Sequence, residues 1–153
     1  QGVVNEKSTP TPEGISGQQL LDAEKSIKNA ANPATIVRLG GLVGGDRHPA
    51  KQLAGKINIP APQAPTNLVH RKDVVRFLMA IIEEGHWGKT LHCVSPNHQS
   101  RIDFYTEASK RLNLPLPSFA KTASKRNKKV MDSRSAALFD FSYRLADCGV
   151  EGS

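Results

Sequence analysis

Two stretches of the sequence decide the fold class: residues 34–47, ATIVRLGGLVGGDR, and residues 67–75, NLVHRKDVV. In the first, a short apolar run rich in β-branched residues (34–39) lies between Pro33 and a pair of glycines. This pattern predicts a strand that is buried on both faces, as in a parallel sheet. In the second, a brief extended piece leads directly into an apolar stripe with helical spacing.

The flanking sequence continues this alternation of helices and strands. A capping-box pattern at Ser16 and Gln19 opens a helix over residues 16–30, and Ser100 with Asp103 opens another. The longest apolar stripe ends before Gly85, in the position of a helix C-cap, and it comprises Val74, Phe77, Leu78, Ile81 and Ile82. We also expect a short helix at 49–53, a strand at 90–94, a short strand at 129–132 and a helical turn at 135–138. Residues 1–14 and 57–66 carry prolines and are expected to be loops. The order predicts an α/β fold.

Composition sets limits on the class of protein. The chain has 153 residues and a net charge of +7, and none of its apolar runs approaches the roughly 20 residues of a membrane helix. We expect a cytoplasmic protein without a membrane partner. The two cysteines favour reduced thiols, with a disulfide between them as the alternative, and no Cys/His spacing indicates a metal site. The positive charge favours anionic partners without separating nucleic acid from a nucleotide diphosphate.

The glycine-rich segment 40–45 follows the predicted strand. Its spacing is not G-x-G-x-x-G, so the interpretation we favour is a tight structural turn rather than a pyrophosphate-binding loop. Ligands of α/β proteins nevertheless bind at the carboxyl ends of parallel strands. We therefore name Gly40 and Gly41 as candidates to line a ligand site.

Several basic residues lie close to these predicted strand ends. Arg38 interrupts an apolar strand, so it either forms an ion pair or binds an anion. Arg47 and Lys51 lie at a predicted helix start and suit a diphosphate, although a solvated surface loop explains them equally well. His70 is a candidate to face a ligand. Asp73 is expected to interact with the free N–H groups of the first helical turn, which is a structural role.

The sequence offers no catalytic constellation, and we assign no catalytic residue. It lacks a G-x-S-x-G motif. Neither Tyr105 nor Tyr143 is followed four residues later by a lysine, since Ser109 and Asp147 occupy those positions.

The two opening stretches resemble the extended short-chain dehydrogenase/reductase family, which includes sugar-nucleotide epimerases and dehydratases. The family has a glycine-containing turn ending in arginine and, later, an "IHVDD" motif that opens a helix; Gly44, Arg47, His70 and Asp73 match these landmarks. Residues 89–95, KTLHCVS, are similar to a further family strand. The resemblance covers most of residues 9–145.

The resemblance implies that residues 1–153 form a single partial domain. It would be the C-terminal part of a Rossmann-type parallel sheet with a small substrate-binding portion. Independently of the resemblance, the run of basic residues at 121–129 predicts a basic loop. The dinucleotide-binding half would precede residue 1. Ser16 and Leu20 occupy the positions of the family's catalytic Tyr and Lys. A serine hydroxyl does not ionise near neutral pH as that phenol does, so whether a longer parent is an enzyme stays open.

Three hypotheses of function follow, the first two from the resemblance and the third from the basic cluster at 121–129. The first is the substrate side of an NAD(P)-dependent nucleotide-sugar epimerase or dehydratase-like protein, with NAD or NADP bound by the parent and no cofactor bound by this chain alone. In this hypothesis Arg47, Lys51 and His70 are candidates to bind the substrate, and Gly40 and Gly41 lie near the cofactor. The second is a non-catalytic epimerase-like regulatory or interaction module. The third, less favoured, is a small nucleic-acid-binding protein. We also expect a truncated chain that forms homo-oligomers or associates with the missing half.

Overall fold

The structure is a computed structural model that describes residues 2–30, 33–45, 48–121 and 128–144. Within these ranges helices and strands alternate, as the sequence predicts for an α/β fold. The strands are β1 (Val3–Val4), β2 (Ile36–Leu39), β3 (Gly41–Val43), β4 (Leu68–His70), β5 (Thr90–Cys93) and β6 (Lys129–Val130). The helices are α1 (Gly14–Ala30), α2 (Pro49–Leu53), α3 (Arg71–Glu83), α4 (Arg101–Arg111) and α5 (Ser133–Leu138).

All six strands pair in parallel, in three short ladders: β1 with β6, β2 with β5, and β3 with β4. The chain changes partner at Gly40. The Gly40 N–H still donates to Cys93 O in the β5 strand (2.9 Å), whereas the Gly41 N–H donates to Asn67 O beside β4 (2.8 Å). One nearly continuous extended segment therefore serves two ladders.

The prediction of a tight turn at 40–45 is wrong over its first half, because Gly41–Val43 is a strand. Strand β3 forms because β4 offers it a parallel partner, with Val43 opposite His70. Gly40 and Gly41 suit this position because a side chain at either would collide. A Cβ at Gly40 would lie 3.0 Å from Asn67 O, and one at Gly41 would lie 2.9 Å from Leu68 Cδ2.

The main core lies between α3 and the β4 and β5 strands. Helix α3 begins after His70, whose Nδ1 accepts a hydrogen bond from the Lys72 N–H (3.2 Å). The buried face of the helix then meets the strands and the segment after α5, and the cluster consists of Val69, Val74, Phe77, Ile81, Leu91, Cys93 and Phe139. A smaller cluster joins Val43 to Phe104 of α4.

The sequence predicts that strand β2 is buried on both faces, but the structure shows that it is not. Its first three residues are half-buried, and Leu39 is exposed. Within the described residues β2 pairs only with β5, so its other edge is open. Val37 packs against the main core, whereas the neighbouring Arg38 binds Glu24 of α1. Successive strand residues point to opposite faces, so α1 and α3 lie on opposite sides of β2.

Helix α1 begins at Gly14, two residues before the predicted start, and none of its residues is buried. Polar contacts attach it to the strands. Arg38 Nε and Nη2 donate to the two carboxylate oxygens of Glu24 (2.8 and 2.7 Å), and Lys28 Nζ donates to Thr90 Oγ1 (2.8 Å). The apolar side chains of this helix are largely exposed, Leu20 to 69% and Ile27 to 51%.

The segment predicted as an N-terminal loop contains β1, which the sequence analysis missed. Val3 lies opposite Lys129 in the ladder with β6. Asn67 holds this ladder against β4: its Nδ2 donates to Lys128 O, and its Oδ1 accepts from the Val130 N–H, both at 2.8 Å. Among the described residues, no helix combines the length and apolar character needed to cross a membrane.

Candidate functional site

The carboxyl ends of β3 and β4 lie side by side and lead to Gly44 and to the start of α3. Gly44 has φ +123°, and a Cβ there would lie 2.5 Å from Nε2 of His70. Gly45 has φ +61°, and a Cβ there would lie 2.7 Å from Nη1 of Arg71. The two glycines therefore let backbone approach the imidazole and the guanidinium closely.

His70 is only 1% exposed, and its imidazole is fixed by packing and by capping. Nδ1 accepts the Lys72 N–H at the first turn of α3, and the Nε2 side faces Gly44. This placement gives His70 a structural function in orienting the N-terminus of α3. Its predicted contact with a ligand stays a prediction.

Arg71 is the residue of this site that the sequence analysis did not single out. It is exposed at the first position of α3, and its guanidinium lies over Gly45. The signal in the sequence was the second glycine of the Gly44-Gly45 pair. A small residue is needed there because a long side chain from another segment occupies the space.

Of the other predicted site residues, Lys51, Gly40 and Gly41 lie within the described residues, and Arg47 does not. Lys51 is exposed on α2, which begins at Pro49 after His48 caps the helix. Arg47 lies outside the described residues, as do residues 122–127 of the predicted basic loop. Gly40 and Gly41 lie where the strand changes partner, before the end of β3.

Asp73 does have a structural role, although His70 provides the side-chain cap of α3. The Asp73 side chain is 1% exposed, and its Oδ1 accepts bonds from Arg76 Nη1 (2.7 Å) and the Arg144 N–H (3.2 Å). Arg38 likewise forms an ion pair with Glu24, which is the first of the two interpretations of its sequence position. Hydrogen bonding to Glu24 raises the pKa of Arg38, and the same bond lowers the pKa of Glu24.

A second polar cluster lies at the end of β5 and consists of Cys93, Asp132 and Tyr143. Tyr143 Oη accepts the Val94 N–H (3.1 Å) and forms a side-chain hydrogen bond with Asp132. Burial raises the pKa of the Cys93 thiol to about 12, and burial also raises the pKa values of Asp132 and Tyr143. Tyr143 is thus hydrogen-bonded to Asp132 and to the backbone at Val94, so the cluster has a structural role.

The first site presents positive charge and backbone N–H groups, and it has the chemistry of an anion-binding surface. Arg71 is a rigid donor suited to phosphate oxygens, and the N-terminus of α3 favours negative charge. In the described part of the chain, no three His, Cys, Asp or Glu residues are grouped so that they could hold a metal ion.

Comparison with known proteins places this geometry in context. The chain is 32% identical over 149 residues to Protein YeeZ of Escherichia coli K12, an alignment that covers 96% of this chain and 54% of YeeZ. No family model matches the chain.

Three solved structures share its fold. A functionally unknown conserved protein from Silicibacter pomeroyi DSS aligns with a TM-score of 0.77 at 22% identity over 95% of this chain and 58% of that one. A dTDP-4-dehydrorhamnose reductase from Clostridium acetobutylicum aligns with a TM-score of 0.74 at 18% identity over 92% and 54%. MoeE5, solved with UDP-glucuronic acid and NAD, aligns with a TM-score of 0.73 at 17% identity over 96% and 56%.

The chain is structurally similar to NAD-dependent nucleotide-sugar epimerases, dehydratases and reductases of the extended short-chain dehydrogenase/reductase fold. This confirms the resemblance read from the sequence. The chain spans about half the length of the curated relatives that it matches, 54% in the case of YeeZ. This chain, an α/β structure with short parallel strands, is therefore similar to only part of that fold.

Proposed function

We propose that this chain is the substrate-side portion of an NAD(P)-dependent nucleotide-sugar epimerase or dehydratase-like protein. The observation that supports it most is the junction of Gly44-Gly45 with His70 and Arg71 at the carboxyl ends of two adjacent parallel strands. Open α/β sheets bind ligands outside this end of their strands. Nucleotide sugars carry a diphosphate, which the exposed cations of this site complement.

The predicted site residues and Arg71 have distinct roles in substrate binding. Arg71, Arg47 and Lys51 bind the oxygens of the diphosphate. His70 holds the N-terminus of α3 in place beside them. Gly40 and Gly41 have no side chains, which leaves space for a nicotinamide cofactor, NAD or NADP, to approach the site.

The cofactor itself is proposed to be bound by a second half of a longer protein. Two observations support this: the relatives are nearly twice the length of this chain, and the outer edge of β2 is unpaired within the described residues. In this proposal residues 1–153 are one partial domain, and a further parallel strand pairs with β2. An open parallel edge between two helices suits such an addition.

Calorimetric titration with UDP-glucose tests the substrate site. We expect saturable binding, reduced about tenfold by Arg71→Ala because an Arg–phosphate contact contributes roughly 1.5–3 kcal/mol before solvent screening. The Lys110→Ala variant, which removes an exposed cation from α4, is the matched control and should bind normally. Binding that is absent, or equal in the two variants, would refute the proposed site.

A second titration separates the substrate site from a cofactor site. Trp87 is the only tryptophan, and it is partly exposed. NADH bound near it would quench its emission by energy transfer. We expect no saturable quenching for this chain by itself, and saturable quenching would assign the cofactor to the described strands instead.

A non-catalytic epimerase-like module is the second candidate. Leu20, at the position of the family's lysine, is 69% exposed on α1 and supplies neither charge nor hydrogen bond. Ser16 lies four residues before it on the same helix and is also exposed. If a longer protein binds NADH but exchanges no deuteride with a nucleotide sugar, this second function replaces the first.

A further inference from the structure

The segment after α5 runs back across the start of α3, and we call its residues 141–144 the strap. The side chains of the strap alternate, with Phe141 and Tyr143 half-buried and Ser142 and Arg144 exposed. Phe141 and Tyr143 also pack against the main core. The strap is therefore docked by one row of its side chains, as an edge strand would be.

Arg76 connects the strap to α3. Its Nη1 donates to Oδ1 of Asp73 (2.7 Å) and to the carbonyl oxygen of Ser142 (3.2 Å). Its Cζ lies 5.0 Å from the centroid of the Phe141 ring. The Arg144 N–H donates to the same oxygen of Asp73 (3.2 Å). The strap and the first turn of α3 thus form one hydrogen-bonded unit around a carboxylate that is 1% exposed.

The strap also reaches the end of β5. Tyr143 Oη accepts the N–H of Val94 (3.1 Å), the residue that follows the strand directly, and it bonds the side chain of Asp132. Undocking of the strap would break this bond together with the one between the Arg144 N–H and Asp73. The amides of Val94 and Arg144 therefore report on docking at two separate points.

The first turn of α3 also contains Arg71, whose guanidinium lies over Gly45. Arg76 and the Arg144 N–H offset the negative charge of Asp73, which would otherwise oppose an anion bound in the same turn. The same bonds fix the backbone that orients Arg71. The docked strap thus belongs to the conformation in which the Arg71 site is best suited to an anion.

We infer that the strap is a conformational device that sets the anion affinity of the Arg71 site, with Arg76 as its positioning residue. The inference rests on the proposed function, in which the anion is the diphosphate of a nucleotide sugar. Docking of the strap raises the affinity for the anion, and a bound anion holds the strap docked, because coupling between two equilibria is reciprocal. The anion shifts the equilibrium since it binds the docked conformation better.

Amide hydrogen exchange of the wild-type chain, with and without UDP-glucose, tests this coupling without any substitution. We expect saturating UDP-glucose to slow the exchange of the Arg144 and Val94 amides about fivefold, at the lower end of couplings between sites. The Asp103 N–H also donates to a side-chain oxygen, that of Ser100 (3.2 Å), and is the internal control whose rate should not change. Exchange reports rare openings, so these rates change even where chemical shifts do not.

Substitution of Arg76 measures the same coupling from the other side. Arg76→Gln should weaken the binding of UDP-glucose about fivefold in calorimetry, which is the factor that reciprocity requires. Arg76→Lys keeps the charge and its donors, so it should bind within about twofold of wild type. Arg111→Gln removes another helical arginine that pairs with a carboxylate, that of Glu107, and is the matched control. Circular dichroism shows whether each variant folds, and the exchange measurement decides if Arg76→Gln does not.

The outcomes separate this inference from the proposed function. UDP-glucose that binds but leaves the Arg144 and Val94 amides unchanged overturns the coupling and leaves the proposed function in place. A folded Arg76→Gln variant that binds like wild type also overturns it, as does an equal loss of affinity in Arg76→Lys and Arg76→Gln. The absence of saturable binding to the wild-type chain overturns the proposed site and the coupling together.

Discussion

The carboxylate of Glu6 caps the helix that contains Ser135, although the two residues are 129 positions apart. Its Oε1 accepts the Ser135 N–H and hydroxyl, both at 3.3 Å, and its Oε2 accepts the Arg134 N–H at 3.0 Å. The local residue at the cap position, Asp132, makes no side-chain cap bond. The first turn of α5 is therefore held by the N-terminal segment.

Glu6→Gln should lower the free energy of unfolding by about 1 kcal/mol at neutral pH, because charge-assisted bonds to N–H groups become neutral ones. Burial opposes ionisation of Glu6, but backbone N–H donors, including those of Arg134 and Ser135, and nearby His92 outweigh it. The net result is a lowered pKa. The stabilisation is thus present above the unfolded-state pKa of Glu6 and is lost as pH falls through its lower folded-state value.

Urea unfolding of both proteins across the acidic range measures this difference. The gap between wild type and Glu6→Gln should close as the pH falls. Glu13→Gln removes an exposed carboxylate from the same N-terminal region and should have little effect at any pH. A gap that is absent at neutral pH, or that widens on acidification, would contradict the capping role.

The bond between Arg38 and Glu24 is expected to hold α1 against β2. Both charges are less than one-third exposed, 28% and 20%, and the contact is bidentate. A double-mutant cycle with Arg38→Ala and Glu24→Ala should give a coupling free energy of about 1 kcal/mol, the upper end for exposed ion pairs.

The neighbouring pair of Asp22 and Lys25 provides the comparison within the same helix. Its side chains are 57% and 63% exposed and 3.5 Å apart. Its cycle should give a coupling close to zero, because water screens exposed pairs. Equal coupling for the two pairs would show that burial of Arg38 and Glu24 contributes nothing to the attachment of α1.

Gly44→Ala tests the packing from which the candidate site is built. We expect a loss of at least about 2 kcal/mol, since the new Cβ would combine a strained backbone conformation with a collision against His70. Gly14→Ala has a similar left-handed φ of +80° but open space around it. It should cost only about 1 kcal/mol. Equal losses in thermal unfolding would show that the contact with His70 is unimportant.

The thiol of Cys93 should be inert in the folded protein. It is fully buried and its pKa is raised to about 12 by burial, so almost none of it is thiolate at pH 8. In a Cys148→Ser background, a colorimetric disulfide reagent should react with Cys93 only after urea is added. Rapid reaction of the native protein would place Cys93 in an accessible position.

The sequence predicted best the elements whose pattern is local. Helix α3 follows from its 3.6-residue apolar spacing and Gly85, and α4 from Ser100, whose hydroxyl does accept the Asp103 N–H (3.2 Å). The short helix α2 lies where it was predicted. The buried residues of α4 are Phe104, Ala108 and Ser109.

The features that the sequence missed depend on contacts between distant segments. Strand β1 has only two residues, and it is a strand because Lys129 and Val130 lie beside it. The Gly41–Val43 segment is a strand because Asn67 and Leu68 offer it a partner. Arg71 became a site candidate only when its guanidinium was seen over Gly45. Apolar spacing within one segment contains no information about such neighbours.

The most direct test of the proposed function is an amide NMR titration of the isotopically labelled chain with UDP-glucose. We predict saturable shifts confined to the amides of Gly44, Gly45, Lys51 and Arg71 and their immediate neighbours, with the amides of α1 and α4 unmoved. The absence of saturable shifts, or shifts concentrated elsewhere in the fold, would contradict the assignment of a nucleotide-sugar site to the ends of β3 and β4.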